Sequence, residues 1–283
     1  MGAEANQRIL TILRHAPGEP AANESFSRLA VTLAAWWDAD ARRRDNYSSS
    51  DRNHESETGL SLLLAEWCLK VPSAVSTGAL RPLIDAIDRL PGPASNMFLH
   101  LIEAADRLDA AANFWPIWEQ YAAKAASAAW LGRIDREHAS GTDVIDALFL
   151  SSIDWNDDIR HWKCLDGHAH HLHALFMRLP PSAVALKAYT SFLYKIGDQS
   201  LPDAFILLSQ RLREGGVGLL TGKSKTRFIL ETLLKRHVYR QPKALKRTTD
   251  LRDSVLALLD LLVDNGSSLA FRMRDDFVTP PQA

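Results

Sequence analysis

The chain has 283 residues, with 33 Lys and Arg against 34 Asp and Glu, for a formal charge of −1. Hydrophobic residues make up 46% and charged residues 24%, so a wholly disordered chain is excluded: there is enough apolar surface to offset the entropy of ordering. Cys68 and Cys164 are the only cysteines, too few for a disulfide scaffold or a four-thiolate zinc site.

Two further classes are set aside by pattern. No apolar run reaches the ~18 residues that a membrane-spanning helix needs. The N-terminus scatters Glu4, Arg8, Arg14 and His15 through its first turns and lacks the charged-then-apolar order of a signal peptide. The cytoplasm is the expected compartment. Asn23, Asn46 and Asn265 fit the glycosylation pattern only by chance on that reading.

Apolar residues recur at helical spacing along the chain. Met97, Leu101, Ala104, Ala105 and Leu108 form one such face, and Ala185, Tyr189, Phe192, Leu193 and Ile196 another. Leu251, Val255, Leu258, Leu259 and Leu262 form a third. Punctuation agrees. Pro72, Pro91, Pro93, Pro180, Pro181, Pro202 and Pro242 fall between periodic segments or in first turns, where a missing N–H leaves no partner wanting. Asn113, Ser182 and Ser200 stand where N-caps belong, and Gly197, Gly215 and Gly266 where helices end. These signals predict helices over 4–15, 23–44, 56–70, 79–90, 95–109, 114–136, 142–151, 166–178, 182–196, 201–214, 224–239 and 245–275. The last is expected to break at Asn265-Gly266. The polar stretch 45–57 is the expected mobile loop, and a softer boundary is expected at 154–167.

The predicted fold is therefore all-α, one domain over 1–283. It is an antiparallel helical array, either α-solenoid-like or a compact multi-helix bundle. No motif repeats at a fixed period. The stretch Leu261–Pro280 (LLVDNGSSLAFRMRDDFVTP) resembles the tail of large bacterial multidomain proteins, including ATP-binding proteins associated with defence against phage. Those carry long HEAT- or armadillo-like helical-repeat regions at their C-termini. The resemblance implies a helical region that senses or scaffolds while the ATPase lies elsewhere. It transfers no catalytic residue.

Three constellations bear on chemistry. Gly216 to Ser224 contains Gly222-Lys223-Ser224, but a phosphate loop would need glycine at Val217 and a buried strand before it. A glycine-rich turn between helices is the plainer reading. His161, Cys164, His168 and His171 stand at i, i+3, i+7 and i+10, so an uninterrupted helix would align them as zinc ligands. Asp166-Gly167 is expected to break that helix, with Asp166 as its cap, leaving histidines that are partly packed and partly exposed. The third is charge. Twelve basic residues against Glu214, Glu231 and Asp250 give Arg211–Arg252 a net of +9, leaving −10 for the remainder. Lys223, Lys225, Arg227, Lys235, Arg236, Arg240, Lys243, Lys246 and Arg247 are the candidate residues for an anionic partner. His237 and Tyr239 are the aromatics in the densest part, too few for base stacking. Cations near helix C-termini also explain part of the cluster.

The eight tryptophans read mainly as core, with Trp36 or Trp37 expected to face outwards. No nucleophile elbow or complete zincin motif is present. The reading is a non-catalytic scaffold that binds another protein or an adjoining domain and uses no cofactor. Self-association through the opposed charges is allowed. The alternatives are a nucleic-acid-binding helical protein using the basic C-terminal third, and a metal-dependent enzyme at the His-rich tract.

Overall fold

The structure, a computed structural model, describes Thr32, Ala35 and residues 64–70, 81–89, 91–133, 139–151, 165, 167–196, 201–215, 217–220, 225–240 and 248–278. Among these residues there is no strand, and the protein is all-α. The helices are α1 (64–70), α2 (Arg81–Arg89), α3 (Pro91–Arg107), α4 (Ala111–Ala126) and α5 (Ala139–Leu148). They continue with α6 (Ala169–Arg178), α7 (Ala183–Ile196), α8 (Leu201–Gly215), α9 (Lys225–Arg240), α10 (Thr249–Asp264) and α11 (Ser268–Val278). The segments expected at 4–15 and 45–57 lie outside the described residues, as does all of 23–44 except Thr32 and Ala35, which are helical.

Local chemistry sets the boundaries. Ser182 caps α7, its Oγ accepting the Ala185 N–H at 3.1 Å. Gly266 ends α10 with a φ of +78°, a left-handed turn that an L side chain would strain. Its N–H reaches the Val263 carbonyl at 2.8 Å, and the Ser267 N–H reaches Leu262 at 2.9 Å, the paired bonds of a Schellman ending. Ser267 then caps α11 by accepting the Ala270 N–H at 3.0 Å. So the expected break at Asn265-Gly266 separates two helices. Two expectations are corrected. Asn113 is not an N-cap: α4 begins at Ala111, and the Asn113 amide instead donates to the Leu69 carbonyl at the end of α1 at 2.7 Å. The helix expected over 114–136 stops at Ala126, where Ser127 closes it.

The chain divides into two compact units. One comprises Met1–Leu148 with Trp162–Asp166, the other Phe149–His161 with Gly167–Ala283.

In the first unit, α3 packs on α5 and α2 on α4, so each helix lies beside the next but one. Side-chain bonds tie such neighbours together. Ser95, in the first turns of α3, donates to the Asp143 carbonyl midway along α5 at 3.0 Å. Lys124, late in α4, pairs with Asp88, late in α2. The core between them holds Phe98, Phe114, Trp118 and Tyr121, all 2% exposed or less, with Phe98 and Tyr121 rings 5.1 Å apart. The second unit repeats the arrangement. One row is α6, α8, α10 and the other α7, α9, α11, with each helix packed on the next in its row. This two-row order is how stacked helical arrays bury a continuous core. It follows from connections too short to let a helix travel far from its predecessor.

One close approach is decisive in the first unit. A Cβ on Gly141 of α5 would lie 2.7 Å from Cε3 of the Trp130 ring. That ring cannot retreat: it is 5% exposed, and its N–H donates to the Ile87 carbonyl at 2.9 Å. Gly141→Ala is therefore expected to lower unfolding stability by about 1–3 kcal/mol, as overpacking does. Urea denaturation followed by tryptophan fluorescence checks it, and an unchanged midpoint would contradict the packing.

Candidate functional site

The histidine tract is built by the start of α6. Gly167 takes a φ of +74°, and α6 starts only at Ala169, with His168 in the N-cap position. The uninterrupted helix that would align the four expected zinc ligands is therefore absent at this point. His161, Cys164 and Asp166, the expected cap, lie outside the described residues. His168 and His171 stack ring on ring, with centroids 5.5 Å apart and planes 15° apart. His170 accompanies them and uses Nδ1 on the Gly167 carbonyl at 2.9 Å. Among the described residues, no three His, Cys, Asp or Glu side chains are grouped to hold a metal ion.

His173 points the other way, into the second unit, where Tyr189 Oη lies 2.7 Å from its Nδ1. Tyr189 is fully buried and stacks on Phe176 at 4.0 Å. Burial keeps the tyrosine protonated, so this is a hydrogen bond with a neutral phenol.

Elsewhere, burial removes candidate groups from chemistry. The Cys68 thiol is 0% exposed, and burial pushes its pKa up to about 12. Tyr121 Oη in the same core is buried without a hydrogen-bond partner. The segment after Gly215 follows a helix and continues as a single 3-10 turn, Val217–Leu220, so no strand leads into the glycines. Lys223 and Ser224 lie outside the described residues.

In the basic stretch Arg213 of α8 and Arg252 of α10 are exposed, and the other ten residues separate into three parts. Lys223, Lys243, Lys246 and Arg247 lie outside the described residues. Arg211, which counted towards the surface charge, is 9% exposed and serves the interior. Its guanidinium donates to the carbonyls of Phe176 at 3.2 Å, Leu179 at 2.6 Å and Met177, and to Glu214 at 2.9 Å. The remaining candidates, Lys225, Arg227, Lys235, Arg236 and Arg240, all ride on α9.

This helix forms because Thr226, Ile229, Leu230, Leu233, Leu234, His237 and Val238 make one buried face. Arg227 lies at the edge, half-buried. It bonds Glu231 at 3.0 Å and the Asn265 carbonyl at 2.9 Å, where the negative end of α10 favours a cation. Lys225, Lys235 and Arg240 are exposed, and Arg236 lies over the Tyr194 ring of α7 at 5.4 Å.

The aromatics differ from expectation. His237 is 1% exposed and packed against Phe205 at 5.2 Å, so it presents no ring to the surface. Phe228, missed as a surface residue, is 66% exposed, beside Tyr239 at 48% and Tyr194 at 44%. The signal for Phe228 was present in the phase of the helix: it falls between buried Thr226 and Ile229 on the side opposite Leu230 and Leu233. Tyr239 is held by its O–H donating to Asp276 Oδ2 of α11 at 2.7 Å. Trp115 and Trp118 are core, as expected, whereas Trp36 and Trp37 lie outside what is described.

No known protein family matches the chain, and no curated protein is similar to it. No helix among the described residues is long and apolar enough to cross a membrane.

A pH dependence follows from His173. Burial lowers its pKa below the ordinary 6.5, with Asp203 opposing the shift and His170 adding to it. The folded state thus binds fewer protons than the unfolded one at this site. Its stabilisation is complete above the unfolded value and falls as pH drops through 6.5 towards the folded value. Unfolding midpoints measured from about pH 7.5 to about pH 5.5 should decline, and His173→Gln should flatten that decline. A slope identical in the variant would show that the His173–Tyr189 bond carries none of it.

Proposed function

We propose that this chain is a non-catalytic helical interaction protein whose second unit docks another protein along the row α7, α9, α11. The observation that carries the reading is the distribution of exposed large apolar side chains. Six occur among the described residues, and five of them, Tyr194, Phe228, Tyr239, Phe271 and Val278, stand on that row. The sixth, Ile206, is 36% exposed and lies on α8. Scattered single apolar residues need no explanation, but a set confined to one row of a helical array does. Stacked arrays offer such rows as extended surfaces. Aromatic side chains bring large contact area at low entropic cost, which makes them frequent anchors of binding energy.

A photoreactive phenylalanine analogue placed at position 228, in the native host, tests the reading. The expected result is a discrete protein adduct, absent when the same group replaces exposed Asp253 on α10. Equal labelling at both positions, or adducts with nucleic acid alone, would overturn it.

A further inference from the structure

We infer that the exposed face of α9 takes an acidic amphipathic segment of its protein partner. This rests on the interaction reading above and names the chemistry of the partner. The face runs Lys225, Phe228, Thr232, Lys235 and Tyr239, at i, i+3, i+7, i+10 and i+14. It therefore alternates cations with apolar anchors along one stripe of a helix. α9 carries five basic residues and one acidic residue, Glu231, whose charge is taken up by Arg227. Among the described residues, neither Lys225 nor Lys235 forms an ion pair, so both ammonium groups can meet a carboxylate.

The complement of this stripe is a segment with carboxylates set on either side of an apolar residue. A helical segment supplies that at the same i, i+3, i+7 spacing, apolar face inward and acidic flanks outward. Burying the Phe228 ring would supply apolar contact area, and the lysine charges would steer and orient the segment.

The geometry disfavours a nucleic-acid strand. Phe228 and Tyr239 are eleven positions apart, about 16 Å along the axis. Stacked bases lie about 3.4 Å apart, so successive bases cannot occupy successive rings.

The test is fluorescence anisotropy on the full chain with three labelled probes: an acidic amphipathic peptide with leucines at helical spacing, a peptide of the same composition with the spacing scrambled, and an oligothymidylate. The expected order of affinity is the amphipathic peptide first, with the scrambled peptide at least about tenfold weaker. Phe228→Ala and Lys235→Glu should each weaken the amphipathic peptide by about tenfold, and added salt should weaken it further. Both positions are exposed, so the variants should keep the circular dichroism and melting of the parent.

Absence of peptide binding, or binding indifferent to both variants, would overturn the acidic-segment inference. Tighter binding of the oligonucleotide, lost in the same variants, would overturn it in favour of nucleic acid. A protein adduct at position 228 with no peptide binding would leave the docking row standing and remove only the acidic partner. Loss of both removes the row as well.

Discussion

The second unit depends on a guanidinium that replaces two missing backbone donors. Helix α6 ends at Arg178 and is followed by Pro180 and Pro181. In a continuing helix, residues 180 and 181 would donate to the carbonyls of Phe176 and Met177. Proline has no N–H, so both acceptors are left over at the helix end. Arg211, from α8, donates to those same two carbonyls and to Leu179. Leaving such acceptors unpaired costs about 1–3 kcal/mol each, more than an exposed ion pair returns. The prolines thus do two things at once: they stop α6 sharply, and they oblige α8 to lie alongside it.

That obligation propagates. With α8 fixed on α6, α10 packs on α8, and the second row, α7, α9 and α11, fills the opposite side. Arg227 repeats the device at the end of α10, holding α9 to the Asn265 carbonyl. Both arginines serve the interior at helix C-termini, where carbonyl dipoles favour cations. What is left of the charge on α9, namely Lys225, Lys235, Arg236 and Arg240, faces outwards beside Phe228 and Tyr239. The surface proposed for interaction is therefore what remains once the array has used cations for its own helix ends.

The elements legible in the sequence were those written by local periodicity. Leu251, Val255, Leu258, Leu259 and Leu262 form the buried face of α10, as their spacing predicted, and Gly266 and Ser182 end and begin helices as their chemistry predicted. Asn113 misled because a helix tolerates Pro116 within its second turn when tertiary contacts hold it, here a bond to α1. Arg211 misled because a charge count treats every arginine as solvated. Its burial depends on two prolines thirty residues earlier, a link that no local window contains. The break in the histidine stripe was itself legible: Gly167, expected to interrupt the helix, takes a left-handed φ. Phe228 was legible in principle, since the helical phase that buries Leu230 and Leu233 turns it outwards, but hydrophobicity alone assigns it to the core.

The measurement that bears most directly on this account is the unfolding free energy of Arg211→Met, with Arg211→Lys beside it. The account predicts that methionine, close in size but without donors, lowers stability by about 2–4 kcal/mol, and that lysine recovers only part of the loss, because a single ammonium cannot serve both the carbonyls met by Nη2 and Glu214, which Nη1 reaches. A methionine variant as stable as the parent would contradict it: the carbonyls after α6 would then need no donor, and the two-row array would owe its order to apolar packing alone.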